Sequence, residues 1–168
     1  MIKKRILFHR PYINGKDYLR FAKIFKTQTI NSRGDFTKSC EKKISKQLAN
    51  RYCLLTSSCT HALEISALLL DLKDKDEIIV PSYTFVSTAN AFELRGAKIV
   101  FADSEKNTPC IDPEDIKKKI NKKTKAICIV HYAGFACNMT EILSIVKKYG
   151  VKLIEDCAHA IDAKYKNK

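Results

Sequence analysis

The chain has 168 residues, 45% of them hydrophobic, which suits one domain with an ordinary core. Its formal charge is +13, yet 25 of the 31 basic residues are lysine and they are spread along the whole length. Surfaces that bind nucleic acid favour an arginine-rich stripe interleaved with aromatics, and no such motif occurs, so nucleic acid is not an expected partner.

No run of eighteen apolar residues is present, so no membrane-spanning helix is predicted. Arg10 follows the apolar start Ile6-Leu7-Phe8 too closely for a signal-peptide core. The seven cysteines (40, 53, 59, 110, 128, 137 and 157) show no CxxC pair and no zinc-ligand spacing. They sit mostly inside apolar stretches, as reduced cysteine packed as a small hydrophobe does, and a cytoplasmic protein is expected. The densest basic run, Lys117-Lys118-Lys119 with Lys122, Lys123 and Lys125, closes a predicted helix, where the dipole favours cations, and reads as a solvated face.

In chain order, apolar residues at helical spacing predict helices over Asp17–Phe25 and Thr37–Leu48. Short apolar runs then predict strands at Tyr52–Leu55, Glu77–Val80, Lys98–Phe101, Ala126–Val130 and Lys152–Ile154. Helices are predicted between them at Thr60–Leu70, Phe85–Leu94, Pro113–Ile120 and Thr140–Tyr149. Asp112-Pro113 supplies an N-cap followed by proline at the first helical position. Asn138-Met139-Thr140-Glu141 resembles a capping box, and Gly150 is placed to close the helix that follows. This alternation implies an α/β fold: a mostly parallel sheet with right-handed crossovers and helices on both faces.

Ligands of such sheets bind outside the carboxyl ends of the strands, so the turns there are the candidate sites. Thr56-Ser57-Ser58-Cys59-Thr60 joins a strand to a helix, and its free N–H groups could meet an anion; a plain helix cap satisfies the same donors. Pro81-Ser82-Tyr83-Thr84-Phe85 brings an aromatic that could stack on a planar ring or simply fill the core. Val130-His131-Tyr132 places an imidazole after a strand, either as an acid–base group or, the preferred reading, as a loop histidine satisfied by backbone partners. Leu153-Ile154-Glu155-Asp156 ends an apolar strand in two carboxylates, with His159 three residues beyond Asp156. Charge is costly there unless something pairs with it; an N-cap is the alternative reading of Asp156.

Together these segments resemble the DegT/DnrJ/EryC1/StrS sugar aminotransferases. The resemblance is carried by Leu55-Thr56-Ser57-Ser58-Cys59-Thr60, Val80-Pro81-Ser82-Tyr83-Thr84-Phe85-Val86-Ser87-Thr88-Ala89-Asn90, Val130-His131-Tyr132-Ala133-Gly134 and Ile154-Glu155-Asp156-Cys157-Ala158-His159-Ala160. It implies the large domain of the aspartate-aminotransferase fold (fold type I) and the cofactor pyridoxal 5'-phosphate (PLP). It implies Asp156 as the acid at the ring nitrogen, Phe85 on the ring face, His159 near the phenolic oxygen, and Cys59 with Thr60 around the phosphate. Many members have glycine or alanine at the position of Cys59, so its backbone N–H is the expected contact. No role for His131 follows from the likeness.

The resemblance also implies a nucleotide-sugar substrate, an amino-acid donor such as glutamate, and a homodimer. On this reading residues 1–36 form an N-terminal arm and helix, and 37–168 form an incomplete PLP-binding domain. The family's Schiff-base lysine and small C-terminal domain would then lie beyond Lys168, and the chain alone would be inactive. A non-catalytic PLP- or partner-binding protein, or one piece of a split enzyme, are the alternatives.

Overall fold

The computed structural model describes residues 10–28, 30, 33–49 and 51–167, which divide into two compact units at Leu55/Thr56. The first unit holds α1 (Gly15–Thr27) and α2 (Asp35–Gln47). Asn14 caps α1 reciprocally: its side-chain oxygen accepts from Lys16 N–H while its own N–H donates to the Asp17 carboxylate, each at 2.9 Å. Neither helix buries a residue fully, and Leu19, Phe21 and Phe25 are exposed.

The strand expected at Tyr52–Leu55 does not form. No strand pairs with this segment among the described residues, so its backbone has no ladder to join, and Leu55 N–H donates instead to Glu41 Oε1 at 3.0 Å. An apolar run makes a strand only where a neighbour takes its hydrogen bonds.

The second unit runs through α3 (Cys59–Leu69), β1 (Glu77–Pro81), α4 (Ser87–Glu93), β2 (Lys98–Ala102), α5 (Pro113–Lys119), β3 (Thr124–Val130), α6 (Met139–Tyr149) and β4 (Lys152–Asp156). The four strands are all parallel, in the order β2-β1-β3-β4. Period-two alternation sorts their side chains between two cores. Ile78, Val80 and Cys128 pack with Leu63, Ala67, Ala91 and Phe92 of α3 and α4. Ile79, Ile127 and Ile129 pack with Ile116, Ile142 and Ile145 of α5 and α6. Phe92 is fully buried, worth roughly 1.5–3 kcal/mol in apolar transfer.

The chain moves one way along the sheet through α4 and the other way through α5 and α6. Right-handed crossovers then place α4 on one face and α5 and α6 on the opposite one, as observed. The march reverses between β1 and β3, and in open parallel sheets such a reversal, at the carboxyl ends of the strands, is where ligands are expected to bind.

Helix ends follow their sequence signals. Asp112 accepts from Glu114 N–H at 2.9 Å ahead of Pro113, and Gly150 adopts φ 67° to close α6. Asn138 caps α6 through Glu141 N–H at 3.4 Å; the return arm differs from a capping box, because Asn138 Nδ2, not its backbone N–H, reaches Glu141 Oε1 at 3.0 Å. The helix expected from Phe85 begins two residues later, at Ser87, and leaves Phe85 in the turn.

Candidate cofactor site

Asp156 is the last residue of β4, 6% exposed. Register pairs Val130 with Asp156 and Cys128 with Ile154, so its carboxylate faces α3 and α4. Three donors reach it. Ala158 N–H donates to Oδ1 at 3.0 Å, the Cys59 thiol to Oδ1 at 3.5 Å, and the Thr88 hydroxyl to Oδ2 at 3.0 Å. A carboxylate offers about four lone-pair positions, so one on Oδ2 is left for a further donor.

Cys59 opens α3, and Ser58 caps it, its side-chain oxygen accepting from His61 N–H at 3.2 Å. Thr60 follows, half-buried, in the first turn. The N–H groups of Cys59 and Thr60 have no intrahelical carbonyl to pair with, and the helix dipole makes this end electropositive. Burial, reinforced by the Asp156 carboxylate, pushes the Cys59 thiol up to about 11, so it sits beside Asp156 as a neutral donor. The side chain expected to be a bystander is therefore a hydrogen-bond partner of the acid.

Phe85 is exposed at 69% and its ring joins neither core, so it is available to a planar ligand. The neighbouring turns meet around aromatics. The ring centroids of Tyr83 and Tyr132 lie 4.7 Å apart, and the Tyr132 ring meets the His159 imidazole edge-on at 5.3 Å. The Tyr83 hydroxyl raises the Tyr132 phenol above its ordinary value. Gly134 adopts φ 84°, a left-handed backbone that favours glycine, and lies close beneath the His159 carbonyl.

His131 lies on the other side of the sheet. It is buried, with Cys137 N–H donating to Nδ1 at 3.1 Å and Nε2 3.0 Å from Glu155 Oε2. Nδ1 is thus the acceptor, and Nε2 carries the proton given to Glu155. The expectation of a loop histidine satisfied by backbone partners holds for Nδ1, whereas Nε2 is met by the Glu155 side chain. A cleft of about 440 Å³ opens on that face, lined by His131, Glu155, Met139, Leu143 and Tyr165 among others, without Asp156.

Of the five residues expected to surround the cofactor, Asp156 and Cys59 are in contact, Thr60 shares the helix start, His159 lies three residues beyond Asp156, and Phe85 lies on the turn that leads into Thr88. Thr88 was missed. Read as one polar residue inside a helix, it carries no signal until the fold aims it at Asp156. Its only sequence cue is its place in the fourth position after Thr84.

A buried carboxylate with one open acceptor position, a helix start with free N–H groups and an exposed aromatic fit an anionic ligand carrying a cationic ring nitrogen. PLP is such a molecule. The fold is that of the large domain of fold type I PLP enzymes, and the residues at this end of the sheet would suit that cofactor.

The chain belongs to the DegT/DnrJ/EryC1/StrS aminotransferase family, whose model matches residues 11–168. It is 39% identical over 159 residues to an uncharacterised protein of Methanocaldococcus jannaschii, covering 95% of this chain and 41% of that protein. It is 35% identical over 165 residues to GDP-perosamine synthase of Escherichia coli O157:H7, covering 98% of this chain and 45% of that enzyme. The structure of NtdA from Bacillus subtilis with bound PMP superposes with a TM-score of 0.82 at 32% identity, over 95% of this chain and 39% of that one. The chain spans less than half the length of the curated relatives it matches. Structural neighbours in the family hold PLP or PMP, which makes PLP the family cofactor.

Proposed function

We propose that this chain forms the acid side of the cofactor site in a transaminase acting on nucleotide-linked 4-keto-6-deoxy sugars. The amino group would come from an amino acid, glutamate, and the product would be of the dTDP-4-amino-4,6-dideoxygalactose type. The likeness to a GDP-perosamine synthase supports a sugar-nucleotide substrate. The single observation that carries the reading is the one open acceptor position on buried Asp156, beside the α3 start.

PLP, when bound, supplies an electron-accepting pyridinium ring and a carbonyl carbon that carries the amino group. The chain's own residues set its conditions. Asp156 would hold the proton on the ring nitrogen. Phe85 would cover one ring face and keep water from it. The N–H groups of Cys59 and Thr60 would hold the phosphate, and His159, seated against Tyr132, would stand near the phenolic oxygen. The lysine that anchors PLP covalently would come from polypeptide outside these 168 residues, as would the residues that choose the sugar. The working enzyme would be a cytoplasmic homodimer.

The test is equilibrium dialysis of the chain against PLP. Reversible binding, weakened at least tenfold by Asp156→Asn and also by Phe85→Ala, is the expected result. Failure to bind, or binding indifferent to Asp156→Asn, would refute the site.

A further inference from the structure

We propose that Thr88 is a positioning residue for Asp156, the middle member of a one-way hydroxyl relay that runs from Thr84 through Thr88 to the carboxylate. The inference rests on the cofactor reading above and adds a residue and a direction to it.

The direction follows from proton counting. Thr88 Oγ1 lies 3.0 Å from Asp156 Oδ2 and 2.8 Å from Thr84 Oγ1. A carboxylate only accepts, so the single Thr88 proton goes to Asp156. Thr84 must therefore donate to Thr88. Each hydroxyl polarises the next, which strengthens a bond made where water is excluded; Thr88 is fully buried.

The relay does two things. First, it fixes the rotation of the carboxylate. Ala158 N–H and the Cys59 thiol both lie on Oδ1, so among the described residues Thr88 alone holds Oδ2, the oxygen with the open acceptor position. Thr88 is β-branched, with few χ1 choices, and sits in the first turn of α4, which brings its hydroxyl to Oδ2. Second, it ties the ring-covering turn to the acid. Thr88 N–H donates to the Phe85 carbonyl at 3.0 Å, and Thr84 immediately precedes Phe85. The same residue thus spaces Phe85 from Asp156, the two groups that would touch one ring on its face and at its nitrogen.

A buried threonine whose polar atom is merely satisfied would give the same coordinates, so the test must separate the two. Dissociation constants are measured for pyridoxamine 5'-phosphate and for its 1-deaza analogue, in which C–H replaces the ring nitrogen, on wild type, Thr88→Val, Thr88→Ser and Thr84→Val. Thr88→Val is expected to weaken pyridoxamine phosphate about tenfold, the order expected for a hydrogen bond to a charged group. It should leave the deaza analogue within about twofold, and Thr88→Ser should restore the binding of pyridoxamine phosphate. Thr84→Val should cost about two- to threefold on pyridoxamine phosphate alone, and it decides the matter if Thr88→Val does not fold.

Equal losses on both probes, or no loss on pyridoxamine phosphate, would overturn the relay. A different result would sink the cofactor reading itself: wild type binding neither probe, or binding the deaza analogue as tightly as pyridoxamine phosphate.

Discussion

Replacing Asp156 by asparagine removes the charge and keeps the shape, and the hydroxyls beside it decide the effect on stability. The amide oxygen can take the Oδ1 position and still accept from Ala158 N–H and the Cys59 thiol. The NH₂ group then faces Thr88 Oγ1, where the carboxylate had accepted. Thr88 can accept from it and turn its own proton to Thr84 Oγ1, 2.8 Å away, and half-buried Thr84 can turn its proton outward. Every donor that served the carboxylate keeps a partner because the relay reverses, and the second amide proton points into the position left open on Oδ2. The charge-assisted share of three bonds is lost, but so is the cost of holding a charge at 6% exposure. The net change should stay within about 1 kcal/mol.

Leucine in the same place cannot accept at all. Thr88 can still turn to Thr84, but Ala158 N–H, fixed by the backbone, loses its acceptor. A hydrogen bond to a charged group contributes about 1.5–3 kcal/mol, and its loss costs on that order. At an ordinary urea slope that shifts the unfolding midpoint down by roughly 1 M. Urea unfolding followed by far-ultraviolet circular dichroism on wild type, Asp156→Asn and Asp156→Leu checks the order. An asparagine variant as unstable as the leucine variant would refute the reversal.

Two further predictions concern the rest of the unit. Buried Glu77 accepts from Asn121 Nδ2 at 2.7 Å and from Lys98 Nζ at 3.3 Å; the Asn121 bond, then Lys98, hold its carboxyl below the ordinary glutamate value of 4.5 against the opposing effect of burial. A lowered folded-state value gives stability that is full above the ordinary value and lost as pH falls through the folded one, so Glu77→Gln should flatten the acid limb of the midpoint-versus-pH curve below about pH 4.5; parallel curves would contradict this. Cys110, Cys128 and Cys137 are buried, with burial pushing the Cys128 and Cys137 thiols up, so iodoacetamide should label exposed Cys40 well before them. Mass spectrometry finding any of the three labelled as fast as Cys40 would show that this core opens.

The strand–helix alternation was legible because each apolar run in the second unit has a partner in the parallel ladder. Tyr52–Leu55 looks like those runs and fails for want of a partner, which is a property of its surroundings and not of its four residues. Asp156 was legible because a carboxylate after Leu153-Ile154 demands a partner. The identity of those partners was not. Cys59 and Thr88 lie 97 and 68 residues away from it in sequence, and only the packing of α3 and α4 on one face aims them at one carboxylate.

His131 shows how the two faces of the sheet cooperate at this end. Its backbone N–H donates to the Asp156 carbonyl at 3.1 Å, and its ring holds Glu155 on the opposite face. Among the described residues β4 is an edge strand, paired only with β3 over five positions that end at Val130 and Asp156. Strand ends fray where their last bonds face water. The His131 N–H closes the ladder one residue beyond that last pair, and the ring, fixed by Cys137 N–H, pins the adjacent carboxylate. Asp156 is therefore held through its own backbone from one side and through Thr88, Cys59 and Ala158 from the other. A histidine whose ring lies on the far face thus fixes the end of the strand that carries Asp156.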